Sequence, residues 1–127
     1  MSSIDPAIAD RTTVEFPATE GFRSVGRLVL GGIASRFELP VDRVDDLLLA
    51  AESLLMQDPV GDTIRLEAEA TPSGLLVRIG SFTSERLADP GLQRVLARLV
   101  DEVVERPDGD GAAIELLVTA VYRGDEA

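Results

Sequence analysis

Little of the usual catalytic chemistry is open to this chain, because its 127 residues contain no His, Cys or Lys. Without Cys there is no disulfide and no thiol nucleophile. Without His the commonest general base and the usual zinc ligand are missing, and without Lys there is no Schiff-base chemistry. Any catalysis must therefore come from carboxylates, hydroxyl groups, Arg side chains or a bound metal ion.

The carboxylate of Glu52 is the leading candidate for such chemistry. It falls on a predicted helix over Asp42–Gln57, and Met56 follows four residues later. Glu52 is either a general base or a partner-contacting carboxylate, or else it reaches solvent or pairs with an Arg such as Arg27. Met56 is interpreted as core filler, because its flexible thioether side chain fills irregular gaps between apolar residues.

Three other features invite a functional interpretation. The segment Asp108–Gly111 (DGDG) lacks the twelve-residue pattern of a calcium loop, so it predicts a hairpin-like turn. Arg94 and Arg98 lie one turn apart on a predicted helix, which indicates a solvated face, or alternatively a phosphate contact. Phe82 stands in a predicted loop, either as a plug for a pocket or as an exposed contact.

The net charge of −11 restricts the classes of partner. Such a surface repels the phosphate backbone, so we expect no nucleic-acid binding. It attracts a basic protein partner, although the acidity serves equally well for solubility alone. Met1–Asp10 has no basic start and no apolar run, and no stretch approaches the roughly 20 apolar residues that span a bilayer. We therefore expect a cytoplasmic protein that does not bind a membrane.

Hydrophobic periodicity places these candidates on seven elements. The predicted elements are a strand over Thr12–Phe16, helices over Gly21–Phe37 and Asp42–Gln57, strands over Thr63–Ala70 and Leu75–Ile79, a helix that begins at Asp89-Pro90, and a strand over Ala112–Tyr122. This order predicts a two-layer α/β sandwich, in which helices cover one face of a mixed, mainly antiparallel sheet and the other face is solvated. One domain is expected over residues 12–122, with tails at 1–11 and 123–127.

Several details of these elements are also predicted. The second helix is capped by Asp42, and it is apolar nearly all round, so we expect it to be buried on most sides. The pair Gly31-Gly32 in the first helix indicates close packing, or else a bend. The third helix is capped by Asp89 and extends its apolar stripe from Leu92 to Val103. Residues 80–88 are expected to form a loop, and residues 107–111 a turn.

Four short segments, in this order, resemble the anti-sigma-factor serine kinases, a branch of the histidine kinase and gyrase-type ATPase superfamily. They are Val14–Ala18 (VEFPA), Ser24–Arg27 (SVGR), Leu49–Met56 (LAAESLLM) and Leu99–Val103 (LVDEV). The resemblance covers residues 12–122 and implies the Bergerat-type ATP-binding fold. It also implies homodimers, because related domains usually pair.

The resemblance implies an altered nucleotide site. In the family, the glutamate at the position of Glu52 is a catalytic base, and an asparagine at the position of Met56 holds Mg²⁺. A thioether is a poor ligand for that hard cation. The family's Asp-x-Gly-x-Gly segment, which reads adenine, is replaced by Gly80–Ser84 (GSFTS), where Phe82 would fill the purine space. Gly91 is the remaining glycine at the lid position, beside a helix N-terminus that can bind an anion weakly.

These departures predict a regulatory protein that needs no cofactor and does not bind Mg-ATP in the normal way. It would act by binding a protein, namely a sigma factor, a phosphorylatable anti-sigma antagonist domain or a second copy of itself. Two alternatives remain open. One is an active ATP-dependent serine/threonine kinase with atypical ligands for Mg-ATP, and the other is a scaffold subunit unrelated to sigma factors.

Overall fold

The computed structural model describes residues 11–37, 39–72, 74–83, 87 and 89–119. Within these ranges the chain forms five strands and three helices. They are β1 (Arg11–Pro17), α1 (Glu20–Arg36), α2 (Val41–Leu55), β2 (Thr63–Thr71), β3 (Gly74–Phe82), α3 (Pro90–Leu99), β4 (Glu102–Asp108) and β5 (Gly111–Thr119). None of these helices is long and apolar enough to cross a bilayer.

The strands form one sheet in the order β1-β2-β3-β5-β4. Every neighbouring pair is antiparallel, so the sheet is not mixed. The three helices pack on one face, with α2 in contact with both α1 and α3. The predicted two-layer α/β sandwich is therefore confirmed.

The core lies between the helices and the face of the sheet that they cover. Alternation along the strands sends one apolar set into this layer, as the sequence predicts. The buried members in β2 and β5 include Ile64, Leu66, Ala68, Ala112, Ile114, Leu116 and Val118. Each fully buried Leu, Ile or Val contributes about 1.5–3 kcal/mol relative to its exposed state. Ala120 and Tyr122, which were expected to continue the β5 set, lie outside the described residues.

Strand β4 is the element that the sequence analysis misses. The predicted third helix is wrong beyond Leu99, because Val100 is already extended, with φ −126° and ψ 168°. Val103, expected as the last member of a helical stripe, pairs with Leu116 across the sheet. It packs against the core from a strand. Val103 therefore contacts the core as predicted, but from a strand and not from a helix.

The hairpin between β4 and β5 is shorter than predicted. Asp108 pairs with Gly111, so that only Gly109 and Asp110 lie between the strands. Gly109 has φ +59°, which a glycine adopts without steric cost. Pro107 lies within β4 and not in the turn, and it is tolerated there because β4 is an edge strand. The hairpin-like interpretation of this segment is confirmed.

Three other element boundaries differ from the prediction. Arg11, placed in the N-terminal tail by the sequence, is the first residue of β1, and its guanidinium lies 2.7 Å from the Glu69 carboxylate. α2 begins at Val41 and has no side-chain cap, so the predicted Asp42 cap is wrong. Strand β3 continues through Gly80–Phe82, where a loop was expected. The predicted tail 123–127 lies outside the described residues.

The close packing expected at Gly31-Gly32 occurs instead at Gly26. A Cβ atom at Gly26 would lie 2.7 Å from Cζ of Phe16, which is inside van der Waals contact. At Gly31 the nearest atoms belong to Leu48 at 3.8 Å, and at Gly32 no atom lies within 4 Å. Gly26 therefore lets α1 approach β1, whereas Gly32 makes no such contact.

A buried polar network anchors the start of α2. The side chain of Arg43 is only 4% exposed, and its guanidinium forms an ion pair with Asp101, between α3 and β4. It lies 3.2 Å from Asp46 and donates a hydrogen bond of 3.3 Å to the Thr119 carbonyl. Asp101 also accepts a 2.8 Å hydrogen bond from the Thr119 backbone amide. One side chain therefore ties α2 to the end of α3 and to the last described residue of β5.

We expect Asp101→Ala to lower the free energy of unfolding by about 3–5 kcal/mol, because it leaves a buried guanidinium short of its main counter-charge. Urea denaturation measures this loss. Glu102→Ala, next to it in sequence but exposed, is the matched control and should change stability by less than about 0.5 kcal/mol. Equal effects of the two substitutions would show that the network does not hold α2.

Candidate functional site

The predicted site residues of α2 lie on a solvent-exposed face. Glu52 follows Arg43 by nine residues, or about two and a half helical turns, so it points away from the buried network. Its side chain is 54% exposed. Met56, just after the helix, is 70% exposed, and Leu49 is 49% exposed. The expectation that Met56 fills the core is therefore wrong. The expectation that α2 is buried on most sides is confirmed outside this face, because Leu47, Ala50, Ala51, Leu54 and Leu55 are buried.

Glu52 and Arg27 form an ion pair, as one of the sequence interpretations predicts. Their side chains are 3.6 Å apart, from Arg27 Nε to Glu52 Oε2, and both are about half exposed. An exposed pair of this kind contributes about 0–1 kcal/mol. Within the described ranges, no three carboxylates gather closely enough to hold a metal ion. Among the residues that the structure describes, Glu52 is exposed to solvent and contacts the guanidinium of Arg27.

Residues 80–82, which belong to the segment expected to replace the adenine-reading loop, form the end of β3. The residues that follow α2 pack against this end of the strand. The Val60 amide donates to the Ser81 carbonyl at 3.0 Å, and the Thr83 amide donates to the Asp58 carbonyl at 3.1 Å. The side chain of Phe82 is fully buried in the core, so it is not an exposed loop contact. The connection between α2 and β2 therefore lies along the end of β3, and Ser84 lies outside the described residues.

The N-terminus of α3 is capped by the side chain of Asp89, the residue that precedes the helix. Asp89 accepts a 3.2 Å hydrogen bond from the Gly91 amide, and Pro90 occupies the first turn, which confirms the predicted cap. The cap uses an amide that an anion would need, and it places a negative charge at the position where an anion would bind. Gly91 is therefore at a helix terminus that disfavours a phosphate group.

The face of the sheet opposite the helices carries interleaved charges. Arg78 lies 3.6 Å from Glu115 and 3.7 Å from Asp108, and Arg106 lies 3.1 Å from Glu115. At the β1 edge, the hydrogen bond from Arg11 to Glu69 raises the pKa of the guanidinium further above its ordinary value. These cross-strand pairs keep this face hydrated, which agrees with the solvated face predicted from the alternation.

Some of the predicted site residues lie together in the structure, whereas one buried polar residue was not predicted from the sequence. Glu52 and Met56 share one face, as their spacing requires, and Arg94 and Arg98 are both exposed on α3. The Arg43 network is missed, although a signal was present. Arg43 precedes the buried Leu47 by four residues, so helical periodicity places it on the buried face.

Comparisons with known proteins do not assign the chain to a family. No protein-family model matches it, and no curated protein shows significant similarity to it. The functional interpretation therefore depends on the site itself and on the short segments that carry the resemblance.

Phe82→Ala should lower the free energy of unfolding by about 3–5 kcal/mol, because it opens a cavity where β3 meets the segment that follows α2. Chemical denaturation measures the change. Phe22→Ala is the matched control, since Phe22 is 46% exposed, and it should cost less than about 1 kcal/mol. A similar small loss for both variants would mean that Phe82 does not fill this part of the core.

Proposed function

We propose that this protein is a regulatory member of the anti-sigma-kinase type. It acts by binding a protein partner and does not bind Mg-ATP in the manner of those kinases. On this proposal the sandwich is a Bergerat-type fold whose nucleotide site has been lost. The protein needs no cofactor, acts in the cytoplasm and has a sigma factor or an anti-sigma antagonist protein as its partner.

The observation that carries this proposal is the burial of Phe82. In the family that the sequence resembles, the corresponding segment reads adenine through a carboxylate and approaches the nucleotide through glycines. Here Phe82 is fully buried, and backbone hydrogen bonds join its neighbours Ser81 and Thr83 to the segment Asp58–Val60. A purine would need this segment to open, which would expose a Phe side chain and break two hydrogen bonds.

The phosphate end of the expected site supports the same proposal. Mg²⁺ requires oxygen ligands, and the position that would supply one holds Met56. Asp89 uses the Gly91 amide and adds a negative charge at the helix terminus. Glu52 faces solvent beside Arg27, and a lone exposed carboxylate lacks the second positioned group that general-base catalysis uses.

The exposed apolar residues support partner binding. Leu49 and Met56 are prominent on α2, and Leu28 on α1 is 71% exposed. Leu49 and Met56 lie seven residues apart, on the same side of the helix, and exposed apolar side chains grouped in this way are typical of protein interfaces. A homodimer is proposed as the resting form, and the net charge of −11 makes a basic partner surface favourable.

Addition of Mg-ATP should leave the melting temperature unchanged. A ligand present at 100 times its dissociation constant stabilises the native state by about 2.7 kcal/mol, which would raise the melting temperature by several degrees. Differential scanning fluorimetry with and without millimolar Mg-ATP measures this. Met56→Asn, which restores the family's metal ligand alone, should show the same absence of a shift, because Phe82 still occupies the adenine region.

A clear rise in melting temperature for the wild-type chain would contradict the proposal and favour the active kinase. If instead nucleotide has no effect and the partners recovered from the native host have no connection to sigma factors, the scaffold function is favoured. The two measurements therefore separate the three functions predicted from the sequence.

A further inference from the structure

We propose that the exposed face of α2 binds a basic amphipathic helix of the partner protein. The face is formed by Val41, Asp45, Leu49, Glu52 and Met56, and it is called the α2 stripe below. This inference rests on the proposed function, because it names the surface and the partner chemistry through which that function would operate.

The spacing of the α2 stripe makes it a continuous ridge. Its members follow one another at intervals of four, four, three and four residues, so they lie along one side of the helix. Val41 is 75% exposed, and Asp45 and Glu52 are exposed as well. Because α2 contacts both α1 and α3, the stripe lies along the middle of the helical layer.

Apolar and acidic side chains alternate along the α2 stripe. The sequence of types is Val, Asp, Leu, Glu and Met, so each carboxylate stands between two apolar residues. A helix that presents Leu or similar residues along one face, with Lys or Arg one turn away, would place apolar groups on Leu49 and Met56 and cations beside Asp45 and Glu52. The alternation therefore favours a partner helix that carries both apolar and basic side chains on the face that contacts the α2 stripe.

The acidic residues of this surface are available to a partner. Among the described residues, neither Asp45 nor the neighbouring exposed Asp42 has a basic group within ion-pair distance. Glu52 forms an exposed contact with Arg27 at 3.6 Å, and a second cation can share this contact at little cost. A basic helix would therefore gain new pairs without breaking a buried one.

Charge also argues against a second copy as the occupant. Two stripes packed against each other would bring like carboxylates together, and the two chains would each carry a net charge of −11. An anionic lipid surface is repelled for the same reason. A basic partner helix satisfies both the apolar and the acidic members of the stripe, so the homodimer of the proposed function would use another surface.

The test uses a synthetic helical peptide of about 18 residues, or five turns, with Leu on one face and Lys flanking it, and a scrambled peptide of the same composition. Fluorescence anisotropy measures binding to the full chain. The patterned peptide should bind, and the scrambled peptide should bind at least about tenfold more weakly. Leu49→Gln combined with Met56→Gln should weaken patterned-peptide binding about tenfold or more, because the apolar contacts are lost.

A second pair of variants tests the charges. Asp42→Asn combined with Asp45→Asn should weaken binding about threefold at low salt, and the difference should disappear at high salt. Glu102→Gln combined with Glu105→Gln removes the same charge from β4 and should leave binding unchanged. All these positions are exposed, and urea denaturation confirms that each variant remains folded.

Equal binding of both peptides, or equal binding to the wild type and to the Leu49→Gln, Met56→Gln variant, would overturn the inference. It would also be overturned if sedimentation showed a dimer of the chain alone that this variant abolishes, because the stripe would then be covered by a second copy. These results leave the proposed function standing, since its own failure appears as stabilisation by Mg-ATP.

Discussion

The anchoring of α2 through Arg43 determines which side of that helix faces solvent. The guanidinium is buried with Asp101 and bonded to the Thr119 carbonyl, and a buried charge cannot leave such partners without a large loss of stability. Rotation of α2 about its axis would bring Arg43 out of this network. The network therefore fixes Leu47 and Leu54 against the sheet and leaves Leu49, Glu52 and Met56 outside.

The proposed role in partner binding depends on this orientation of α2. The exposed side of α2 carries alternating apolar and acidic residues. At the same time, Phe82 and the segment Asp58–Val60 close the end of β3. Under the proposed function, both features replace contacts with a nucleotide by contacts within the protein or with another protein. They involve separate parts of the chain, so under that proposal no single substitution would give the chain a nucleotide site.

The sequence predicts the sandwich because its strongest signals are periodic. The alternation of Ile64, Leu66 and Ala68 has one physical solution, which is a strand with one buried face. The sequence prediction fails where the same pattern of apolar residues fits both a helix and a strand. Val103 fits both a helical stripe and a short strand, and only the pairing with Leu116 decides between them. The prediction for Met56 also fails, because an apolar side chain near a helix end has the same sequence pattern whether it is buried in the core or exposed on the surface.

Thiol accessibility along α2 tests the central claim most directly, because the chain has no native Cys. Single substitutions Leu49→Cys and Met56→Cys should react rapidly with a thiol reagent under native conditions. Leu47→Cys and Leu54→Cys, at fully buried positions, should react only as fast as the protein opens. Protection at positions 49 and 56 equal to that at 47 and 54, in the chain alone, would contradict the orientation of α2 and the account of function that depends on it.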